Sequence, residues 1–505
     1  MNLAERVGYW SRWQPERIAI RTADEDVTWA RLGEEVARVA GGLAARGVGV
    51  GDRVGILGAN SPAWCVLALA ALHRGAIVVP LNIRLAPPEL REITARLGCT
   101  TVAYDTALAD LHDAARADAG DDAWRTIALD DQVPADVRFG ELLAAEPLAS
   151  VDREDDDVAV LGCTSGTTGL PKGVMLTHGN IAALALQTIC SEGSVHDRRT
   201  LLCIPLAFTG GIINNFLSNA LAGGTLVLEP AFVPDRVIEL LAAERITTLF
   251  AVPVMWQAIA GTAAFADADL GALTSAITGG APVPRKLLDA YHAKGVVIRQ
   301  AYGLTEATGS VAMPTPDEAL AKPEAAGQPN AHTHVRILDE AGADMPAGEV
   351  GEIAVRGPQV MAGYWNDQEA TEKSFRDGWL LTGDMASLGT DGLLRIADRK
   401  KSMFISGGLN VYPAEIERIV DSLPDVAESV AFGLAHERWG EACALVVRGT
   451  DGAVDEEALV AHCRTQLADY KVPRTIFQIT APLPRGMSGK ILRDQVPGML
   501  EDQPA

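Results

Sequence analysis

The sequence lacks several features that would place the protein in a specialised class. Its seven cysteines are scattered and odd in number, and no two of them form a C-x-x-C pair. A disulfide framework or a zinc site is therefore not expected, and the thiols are those of a reduced, intracellular protein. No secretory signal is apparent at the N-terminus, and the most apolar early run, Cys65 to Leu72, falls far short of the roughly 20 residues that cross a bilayer. These absences predict a cytoplasmic protein without a membrane span.

Positive charge is also scarce. Lysine and arginine number 43 against 66 acidic residues, which gives a formal net charge of −23. This charge argues against nucleic acid or an anionic membrane as the main partner, and any anionic ligand must be met by local basic side chains. A chain of 505 residues with 48% hydrophobic and 22% charged residues is globular and long enough for at least two domains.

The order of predicted elements indicates an α/β protein. Strands such as Arg53 to Leu57 alternate with helices such as the one that Thr28 caps, and this alternation predicts parallel sheets covered by helices on both faces. From about Val350 a β-rich part with a hairpin turn at Asp391-Gly392 follows, and then a small α+β unit. The predicted domains are residues 1–400 and residues 401–505.

A glycine- and hydroxyl-rich stretch follows the apolar run Val158 to Cys163 and ends in one lysine. Glycines let backbone N–H groups turn toward an anion, hydroxyls add donors, and lysine adds a positive charge. The pattern predicts a phosphate-binding loop, although no Gly-Lys-Ser/Thr closes it as in a Walker A motif. A flexible surface loop is the alternative. The candidate phosphate ligands are Thr164, Ser165, Gly166, Thr167, Thr168, Gly169 and Lys172.

A second motif runs from Tyr302 and Gly303 to Thr305 and Glu306. Thr305 offers a hydroxyl to a phosphate, and Glu306 offers a hard oxygen ligand suited to Mg²⁺. A helix cap is the alternative interpretation of this pair. Upstream, a turn could present its backbone to an adenine edge, or it could be only a turn. Its candidate residues are Gly280, Ala281 and Pro282.

Two further motifs lie closer to the C-terminus. Asp384 follows Thr382-Gly383, and its carboxylate can chelate two ribose hydroxyls to which Arg399 adds a hydrogen bond. The alternative for Asp384 is a turn residue. Lys490 lies on a glycine-flanked loop in the small unit, where such a lysine is usually only exposed. A small domain that swings could instead bring this charge to the phosphates.

In this order and spacing the motifs resemble those of the adenylate-forming superfamily, and most closely its acyl-CoA synthetase branch. The resemblance covers nearly the whole chain. It implies a large N-terminal domain that binds ATP and an acid, and a small mobile C-terminal domain. It assigns the α-phosphate to Thr305, Mg²⁺ to Glu306, the adenine to Tyr302 and the Gly280 turn, and the acid and α-phosphate together to Lys490. Lys401 matches the hinge position of the family.

The resemblance also implies a CoA site and an acyl pocket. The CoA candidates are Gly407, Gly408, Trp439, Tyr470, Lys471 and Arg474, although Trp439 and Tyr470 could equally pack the small domain. The acyl-pocket candidates are Phe208, Ile212, Asn215, Thr278, Ala307, Thr308 and Gly309. Phe208 stands where the family commonly has histidine. A phenylalanine side chain has no polar atom, so it cannot hydrogen-bond the carboxylate as histidine could. None of the pocket candidates is charged, which favours a neutral medium-chain, branched or aromatic acid.

The leading hypothesis is therefore a ligase that uses ATP, Mg²⁺ and CoA to convert a small carboxylic acid to its CoA thioester. A second hypothesis passes the acyl-adenylate to a carrier protein, an amine or another nucleophile. A third is a catalytically dead nucleotide-binding protein, against which the presence of Lys490, Glu306 and Asp384 argues. A homodimer is one option for the assembly.

Overall fold

The computed structural model describes residues 2–117, 124–130, 132–165, 171–192, 197–280, 283–400, 402–406, 409–436, 439–486 and 491–501. The helices are α1 (Glu5–Trp13), α2 (Trp29–Ala45), α3 (Pro62–His73), α4 (Pro87–Leu97), α5 (Ala109–Ala117), α6 (Phe139–Leu143), α7 (His178–Glu192), α8 (Ser218–Ala222), α9 (Pro234–Ala243), α10 (Pro253–Ala260), α11 (Arg285–His292), α12 (Pro316–Ala321), α13 (Gln368–Ser374), α14 (Pro413–Val420), α15 (Glu456–Gln466) and α16 (Val496–Glu501).

The strands of the first half are β1 (Ile18–Arg21), β2 (Asp26–Thr28), β3 (Arg53–Leu57), β4 (Ile77–Pro80), β5 (Cys99–Tyr104), β6 (Arg125–Ala128), β7 (Val137–Arg138), β8 (Val158–Ser165), β9 (Pro171–Thr177), β10 (Arg199–Leu202), β11 (Thr225–Leu228) and β12 (Thr248–Phe250). Those of the second half are β13 (Ser275–Gly279), β14 (Ile298–Ala301), β15 (Ala312–Met313), β16 (Gln328–Pro329), β17 (His334–Leu338), β18 (Gly351–Arg356), β19 (Gly363–Tyr364), β20 (Phe375–Arg376), β21 (Trp379–Leu388), β22 (Leu394–Arg399), β23 (Phe404–Ser406), β24 (Leu409–Val411), β25 (Val426–His436), β26 (Gly440–Gly449) and β27 (Thr475–Gln478).

Local sequence signals explain where the first helices begin. Thr28 accepts a hydrogen bond from the Arg31 N–H at the start of α2, and Ser61 accepts one from the Trp64 N–H ahead of Pro62 in α3. Every residue of α3 from Trp64 to Leu72 is buried, because this helix is apolar on all sides and packs in the core. The predicted helix start at Thr28 is confirmed.

Two large sheets carry the N-terminal part of the chain. One has the order β14-β13-β12-β10-β11-β1-β2 and is parallel except for the β1–β2 pair. The other has the order β19-β9-β8-β4-β3-β5-β6-β7, with antiparallel pairing only where β8, β9 and β19 meet. A single hydrophobic cluster contains residues of both sheets and of α2, α3 and α7. The predicted parallel α/β architecture is confirmed.

The remaining strands form smaller antiparallel sheets. Strands β17, β18, β21, β20 and β22 make the β-rich part, and β21 and β22 join at the predicted Asp391-Gly392 turn. Strands β24, β23, β26 and β25 pair antiparallel beyond it, and β27 joins β26 in parallel. Their helices and strands enclose hydrophobic clusters of their own, which confirms a separate C-terminal unit. Among the residues described, every helix is too short or too polar to span a bilayer.

Candidate active site

The predicted phosphate loop connects the two strands of a hairpin. Strands β8 and β9 pair antiparallel, and this register sets Thr164 opposite Lys172 and Ser165 opposite Pro171. The apolar run from Val158 to Cys163 forms most of β8, and the return of the chain through β9 was not predicted. Residues Gly166, Thr167, Thr168 and Gly169 lie outside the described part of the chain. The described ends of the hairpin thus bring one hydroxyl and one ammonium group to the same edge.

A tyrosine that the sequence analysis did not select joins Lys172 to Glu306. The Lys172 ammonium lies 4.8 Å from the centroid of the Tyr364 ring, within the range of a cation–π contact. The Tyr364 hydroxyl donates to Glu306 Oε1 at 3.0 Å. Burial and the neighbouring Glu306 carboxylate raise the pKa of Tyr364, so the phenol keeps its proton and remains a donor. The predicted phosphate lysine and the predicted metal ligand therefore converge on one side chain.

Thr305 packs against strand β8 of the same hairpin, beside Gly162. Its Oγ1 is 3.0 Å from Thr209 Oγ1, so one of the two hydroxyls donates to the other. A Cβ atom placed on Gly162 of β8 would lie 2.9 Å from Thr305 Cγ2. Only glycine at this strand position leaves room for the threonine. Two hydroxyls are thereby packed beside the strand that leads into the phosphate loop.

Asp384 and Tyr302 meet in the β-rich part. The Tyr302 hydroxyl donates to Asp384 Oδ2 at 2.8 Å, and both residues are buried. Asp384 lies opposite Arg399 in the β21–β22 register, so the two backbones are adjacent, which agrees with a joint ribose assignment. The Arg399 side chain lies outside the described part of the chain. The Gly383 N–H donates to Glu352 Oε1 at 3.2 Å, and the Lys400 N–H donates to the Gly383 carbonyl at 2.9 Å. These bonds fix the backbone on both sides of Asp384.

The predicted adenine turn is described only at its first residue. Gly280 follows β13 with a φ of +89°, a left-handed conformation that favours glycine, and it is exposed. Ala281 and Pro282 lie outside the described residues. Gly303 is exposed after Tyr302, and a Cβ there would lie 1.9 Å from the Gly309 carbonyl. This contact brings the Tyr302 motif and the acyl-pocket candidate Gly309 side by side.

Most of the predicted acyl-pocket residues are buried. Ile212, Asn215, Thr278, Ala307 and Thr308 are almost fully buried, and Phe208 and Gly309 are partly exposed. The Asn215 amide donates to the carbonyl of Gly210 at 2.6 Å within a π-helical segment that runs from Gly210 to Leu217.

Two side chains that the sequence analysis did not select lie beside these candidates. Asn214, rather than Asn215, faces Gly309, since its Oδ1 would be 2.3 Å from a Cβ at Gly309. The Phe250 ring lies within 3.6 Å of Cβ positions at both Gly210 and Gly279, which places an aromatic surface between these glycines. No charged side chain occurs among the seven candidates or these two neighbours.

The loop that leads to Phe208 is anchored by a distant asparagine. Asn60 donates to the carbonyls of Ile204 at 2.9 Å and Glu229 at 3.1 Å, and its Oδ1 accepts from the Leu206 N–H at 2.8 Å. Asn60 is 5% exposed, so each of these bonds is shielded from water. The backbone of the segment from Ile204 to Leu206, which precedes Phe208, is therefore fixed.

The CoA-side candidates lie in two places. Ser406, at the end of β23, pairs with Leu409 and with Gly440. Trp439 precedes Gly440 in the sequence and is therefore close to this strand end. Gly407 and Gly408, which follow Ser406, lie outside the described residues. The Lys471 ammonium binds both oxygens of Glu415, at 2.9 and 2.7 Å, and lies 5.6 Å from the centroid of the Tyr470 ring. Arg474 pairs with Asp469 at 2.6 Å. A CoA phosphate would compete with these carboxylates.

Lys490 and Lys401 lie outside the described part of the chain, but the flanks of the Lys490 loop are well held. Arg485 and Ile491 form an antiparallel bridge across the loop. Arg485 pairs with the buried Glu428 at 2.7 Å, and Arg493 pairs with Glu417 at 2.6 Å. Two carboxylates of the C-terminal unit therefore hold the chain segments before and after the loop, at Arg485 and at Arg493.

The residues that sequence reasoning missed share one property. Each contacts residues that are distant in the sequence: more than 50 positions away for Tyr364, Thr209, Asn60 and Asn214, and 29 and 40 positions away for Phe250. No local spacing marks such contacts. For Tyr364 the signal was only general, since aromatic residues are enriched in strands.

Comparison with known proteins agrees with this geometry. The AMP-binding enzyme family matches residues 9–365, and the AMP-binding enzyme C-terminal domain matches residues 415–490. A feruloyl-CoA synthase from an Amycolatopsis species is 40% identical over 97% of this chain and 98% of its own. The long-chain-fatty-acid–CoA ligase FadD13 of Mycobacterium tuberculosis is 36% identical over 94% of this chain and 93% of its own.

Solved structures show the same fold. ATP-bound MatB from Rhodopseudomonas palustris superposes with a TM-score of 0.90 at 31% identity over 99% of both chains. The o-succinylbenzoate CoA synthetase MenE of Bacillus subtilis, in complex with its acyl-adenylate intermediate, gives a TM-score of 0.86 at 30% identity over 98% of this chain and 97% of that chain. The resemblance drawn from the motifs is confirmed, and the chain belongs to the AMP-binding enzyme family, among relatives that are CoA ligases.

Proposed function

We propose that the protein activates a neutral carboxylic acid with ATP and transfers the acyl group to CoA. The observation that carries this proposal is the convergence of Lys172, Glu306 and Thr305 at one edge of the β8–β9 hairpin, joined by Tyr364 and Thr209. A cation, a carboxylate and two hydroxyls in this arrangement suit a triphosphate. The buried Asp384 with its tyrosine partner suits the ribose of the same nucleotide.

The reaction has two displacement steps. A carboxylate oxygen attacks the α-phosphorus of ATP, the bond to the bridging oxygen breaks, and pyrophosphate leaves with the electron pair. The CoA thiolate then attacks the carbonyl carbon of the acyl-adenylate, and AMP leaves. Both the acid and the triphosphate are anionic, so the first step needs cations and donors where charge develops.

The described residues can supply several of these groups. Lys172 and the hydroxyl of Thr164 face the β- and γ-phosphates, and Thr305 donates to the α-phosphate. Asp384 accepts from the ribose hydroxyls. Lys490 and Arg399 are proposed to complete the charge around the α-phosphate and the ribose. Each role follows from the motif resemblance, and the described contacts of Lys172, Thr305 and Asp384 support the roles of these three residues.

The donor set fits Mg²⁺. No group of three or more His, Cys, Asp or Glu side chains that could hold a metal occurs among the described residues. A magnesium ion commonly takes one or two protein carboxylates and fills its other positions with substrate phosphates and water. Glu306, which is partly exposed and oriented by Tyr364, would be that carboxylate. When bound, the metal supplies positive charge to the phosphates.

The acid is proposed to be a monocarboxylate with an apolar aryl or medium-chain tail. The buried pocket candidates include Ile212, Ala307 and Thr278, and the ring of Phe250 lies near Gly210 and Gly279. A second carboxylate would be desolvated there without a cationic partner, at a cost of several kcal/mol. Feruloyl-CoA synthase and indoleacetate–CoA ligase among the relatives favour aryl acids as the first to test.

The test is ATP–pyrophosphate exchange across a panel of acids, followed by addition of CoA. The panel contains a hydroxycinnamate, an arylacetate, a medium-chain fatty acid and a dicarboxylate as the disfavoured control. We expect exchange with a monocarboxylate of the first three classes, and then formation of AMP and a thioester in equal amounts. The Glu306→Gln variant should lose exchange with the same acid.

Two results would contradict the proposal in different ways. Exchange without a thioester would assign the acyl group to another acceptor, such as a carrier protein or an amine. An amide bond synthetase, McbA from Marinactinospora thermotolerans, is among the structural neighbours at a TM-score of 0.88. Nucleotide binding without exchange for any acid would instead support the non-catalytic hypothesis.

A further inference from the structure

Tyr364 is the one side chain in the described site that contacts both a predicted phosphate ligand and the predicted metal ligand. Its ring lies under the Lys172 ammonium, and its hydroxyl donates to Glu306. The two contacts use different parts of the side chain. The ring and the hydroxyl can therefore be removed separately.

The backbone around Tyr364 makes this position rigid. Strand β19 pairs with β9, so Tyr364 lies opposite Val174, two residues from Lys172. The Met361 N–H donates to the Glu306 carbonyl at 2.9 Å. The segment from Met361 to Tyr364 thus holds Glu306 by its main chain and by its carboxylate, while the same strand edge carries the lysine.

We propose that Tyr364 is a positioning residue that sets the carboxylate of Glu306 for a metal–nucleotide complex and seats Lys172 beside it. The inference rests on the proposed function, since it needs Glu306 to receive Mg²⁺ with ATP. Because the Tyr364 hydroxyl holds Oε1 of Glu306, the carboxylate has fewer accessible orientations, and its Oε2 is left in a defined position for the metal. Outer partners of metal ligands commonly change metal affinity or activity by 10–100-fold when they are removed.

Two substitutions separate the functions of the ring and the hydroxyl. Tyr364→Phe keeps the ring beneath Lys172 and removes only the donor to Glu306. Tyr364→Leu removes both. Tyr291→Phe is the matched control, because its hydroxyl is also buried and donates to a protein oxygen, the carbonyl of Trp256 at 2.8 Å, in α10 and α11 away from the site.

The primary measurement is ATP binding by calorimetry in the absence of acid, with Mg²⁺ and with EDTA. We expect Tyr364→Phe to weaken binding with Mg²⁺ about tenfold and to leave metal-free binding within about twofold. Tyr364→Leu should also weaken metal-free binding, by about two- to fivefold, because the lysine loses its aromatic contact. Tyr291→Phe should change neither constant.

Thioester formation from a supplied acyl-adenylate and CoA provides the second measurement. It needs no metal–triphosphate complex, so Tyr364→Phe should retain it. Loss of this activity together with ATP binding would show that Tyr364 only maintains the fold, and would overturn the inference. Equal ATP affinities for Tyr364→Phe and Tyr291→Phe with Mg²⁺ would also overturn it.

Glu306→Gln distinguishes failure of the inference from failure of the proposed function. If this variant loses the effect of Mg²⁺ on ATP binding while Tyr364→Phe keeps it, Glu306 binds the metal and only the positioning role of Tyr364 is wrong. If Glu306→Gln also keeps the effect, the metal role of Glu306 is wrong and the inference falls with it.

Discussion

At the scale of single residues, Gly162 decides how close strand β8 comes to Thr305. Its neighbours on β8 carry side chains, but a Cβ at this position would lie 2.9 Å from Thr305 Cγ2 and 3.8 Å from Thr209 Oγ1. Real Cβ atoms do not approach other carbons so closely, so a substitution must displace the threonine. The glycine thereby sets the position of two hydroxyls without contacting a ligand.

We expect Gly162→Ala to fold and to lose adenylation. Displacing Thr305 moves the proposed donor to the α-phosphate, and a misplacement of about 1 Å can cost about a hundredfold in rate. The added methyl should lower the free energy of unfolding by about 1–3 kcal/mol. ATP–pyrophosphate exchange and urea denaturation measure the two effects.

The matched control for this change is Gly8→Ala in α1. A Cβ at Gly8 meets nothing within 4 Å, and alanine is the better helix former by roughly 1 kcal/mol. This variant should keep full exchange activity and gain a little stability. Full activity of Gly162→Ala would show that Thr305 tolerates displacement, and would remove it from the proposed site.

At the scale of elements, Asn60, which lies just before the N-cap Ser61 of α3, fixes a loop that is distant in the sequence. We expect Asn60→Ala to lower the free energy of unfolding by about 2–4 kcal/mol, because one buried N–H and two carbonyls lose their partner. The KM for the acid should rise as well, since the loop from Ile204 to Leu206 leads to Phe208. Urea denaturation and acid titrations test both effects.

A comparison variant for Asn60 is Asn82→Ala. Asn82 is partly exposed and accepts one hydrogen bond, from the Arg84 N–H at 3.0 Å. Its loss should change stability by less than about 1 kcal/mol and leave the KM for the acid unchanged. Equal effects of the two substitutions would mean that the three buried bonds of Asn60 contribute nothing specific.

The elements also show where prediction from sequence succeeds. Helix starts at Thr28 and Ser61 were predictable because a cap acts within three residues, and the parallel sheets were predictable from alternation along the chain. The pairing of β19 with β9 joins residues almost 190 positions apart and leaves no periodic trace. Tyr364 was missed for that reason, whereas Lys172 and Glu306 belong to short motifs with recognisable chemistry.

A buried histidine links the N-terminal segment to α7. The Leu3 N–H donates to His178 Nδ1 at 3.2 Å, so this nitrogen must carry no proton. Burial lowers the pKa of His178 to about 4, and the nearby Arg153 acts in the same direction. Burial also lowers the pKa of His112, whose Nε2 accepts from the Trp124 indole.

Stability should therefore fall as the solution is acidified. The unfolded chain protonates His178 near pH 6.5 while the folded chain resists until about pH 4, so the folded state is disfavoured progressively across that window. The expected loss for this residue is about 3 kcal/mol. Urea denaturation between pH 7 and pH 4.5 should show the slope in the wild type and a smaller slope in His178→Gln. An unchanged slope in the His178→Gln variant would assign the pH dependence to other groups. His334→Gln, a substitution at an exposed position on β17, is the control.

At the scale of the whole molecule, the chain has separate hydrophobic cores. Among the residues that the structure describes, the clusters of the two large sheets contain none beyond Leu380, and the clusters of the C-terminal unit begin at Phe404. Strand β22 still belongs to the β-rich part and ends at Arg399, and the predicted boundary near residue 400 falls between it and β23. A unit with its own core can move as a body, as the domain rotation implied by the resemblance requires.

This separation of cores makes Lys490 the residue on which the two half-reactions should differ. Its loop is anchored in the C-terminal unit through Arg485 and Arg493, whereas Lys172 and Glu306 belong to the N-terminal part. If the C-terminal unit delivers Lys490 only for adenylation, Lys490→Ala should reduce ATP–pyrophosphate exchange by about 10²-fold or more. Thioester formation from a supplied acyl-adenylate should stay within about threefold of wild type.

Arg418→Ala, at an exposed position on α14 in the same unit, should change neither half-reaction. Equal loss of both half-reactions in Lys490→Ala would mean that the lysine serves one fixed arrangement of the domains, and the rotation would have no support from this residue.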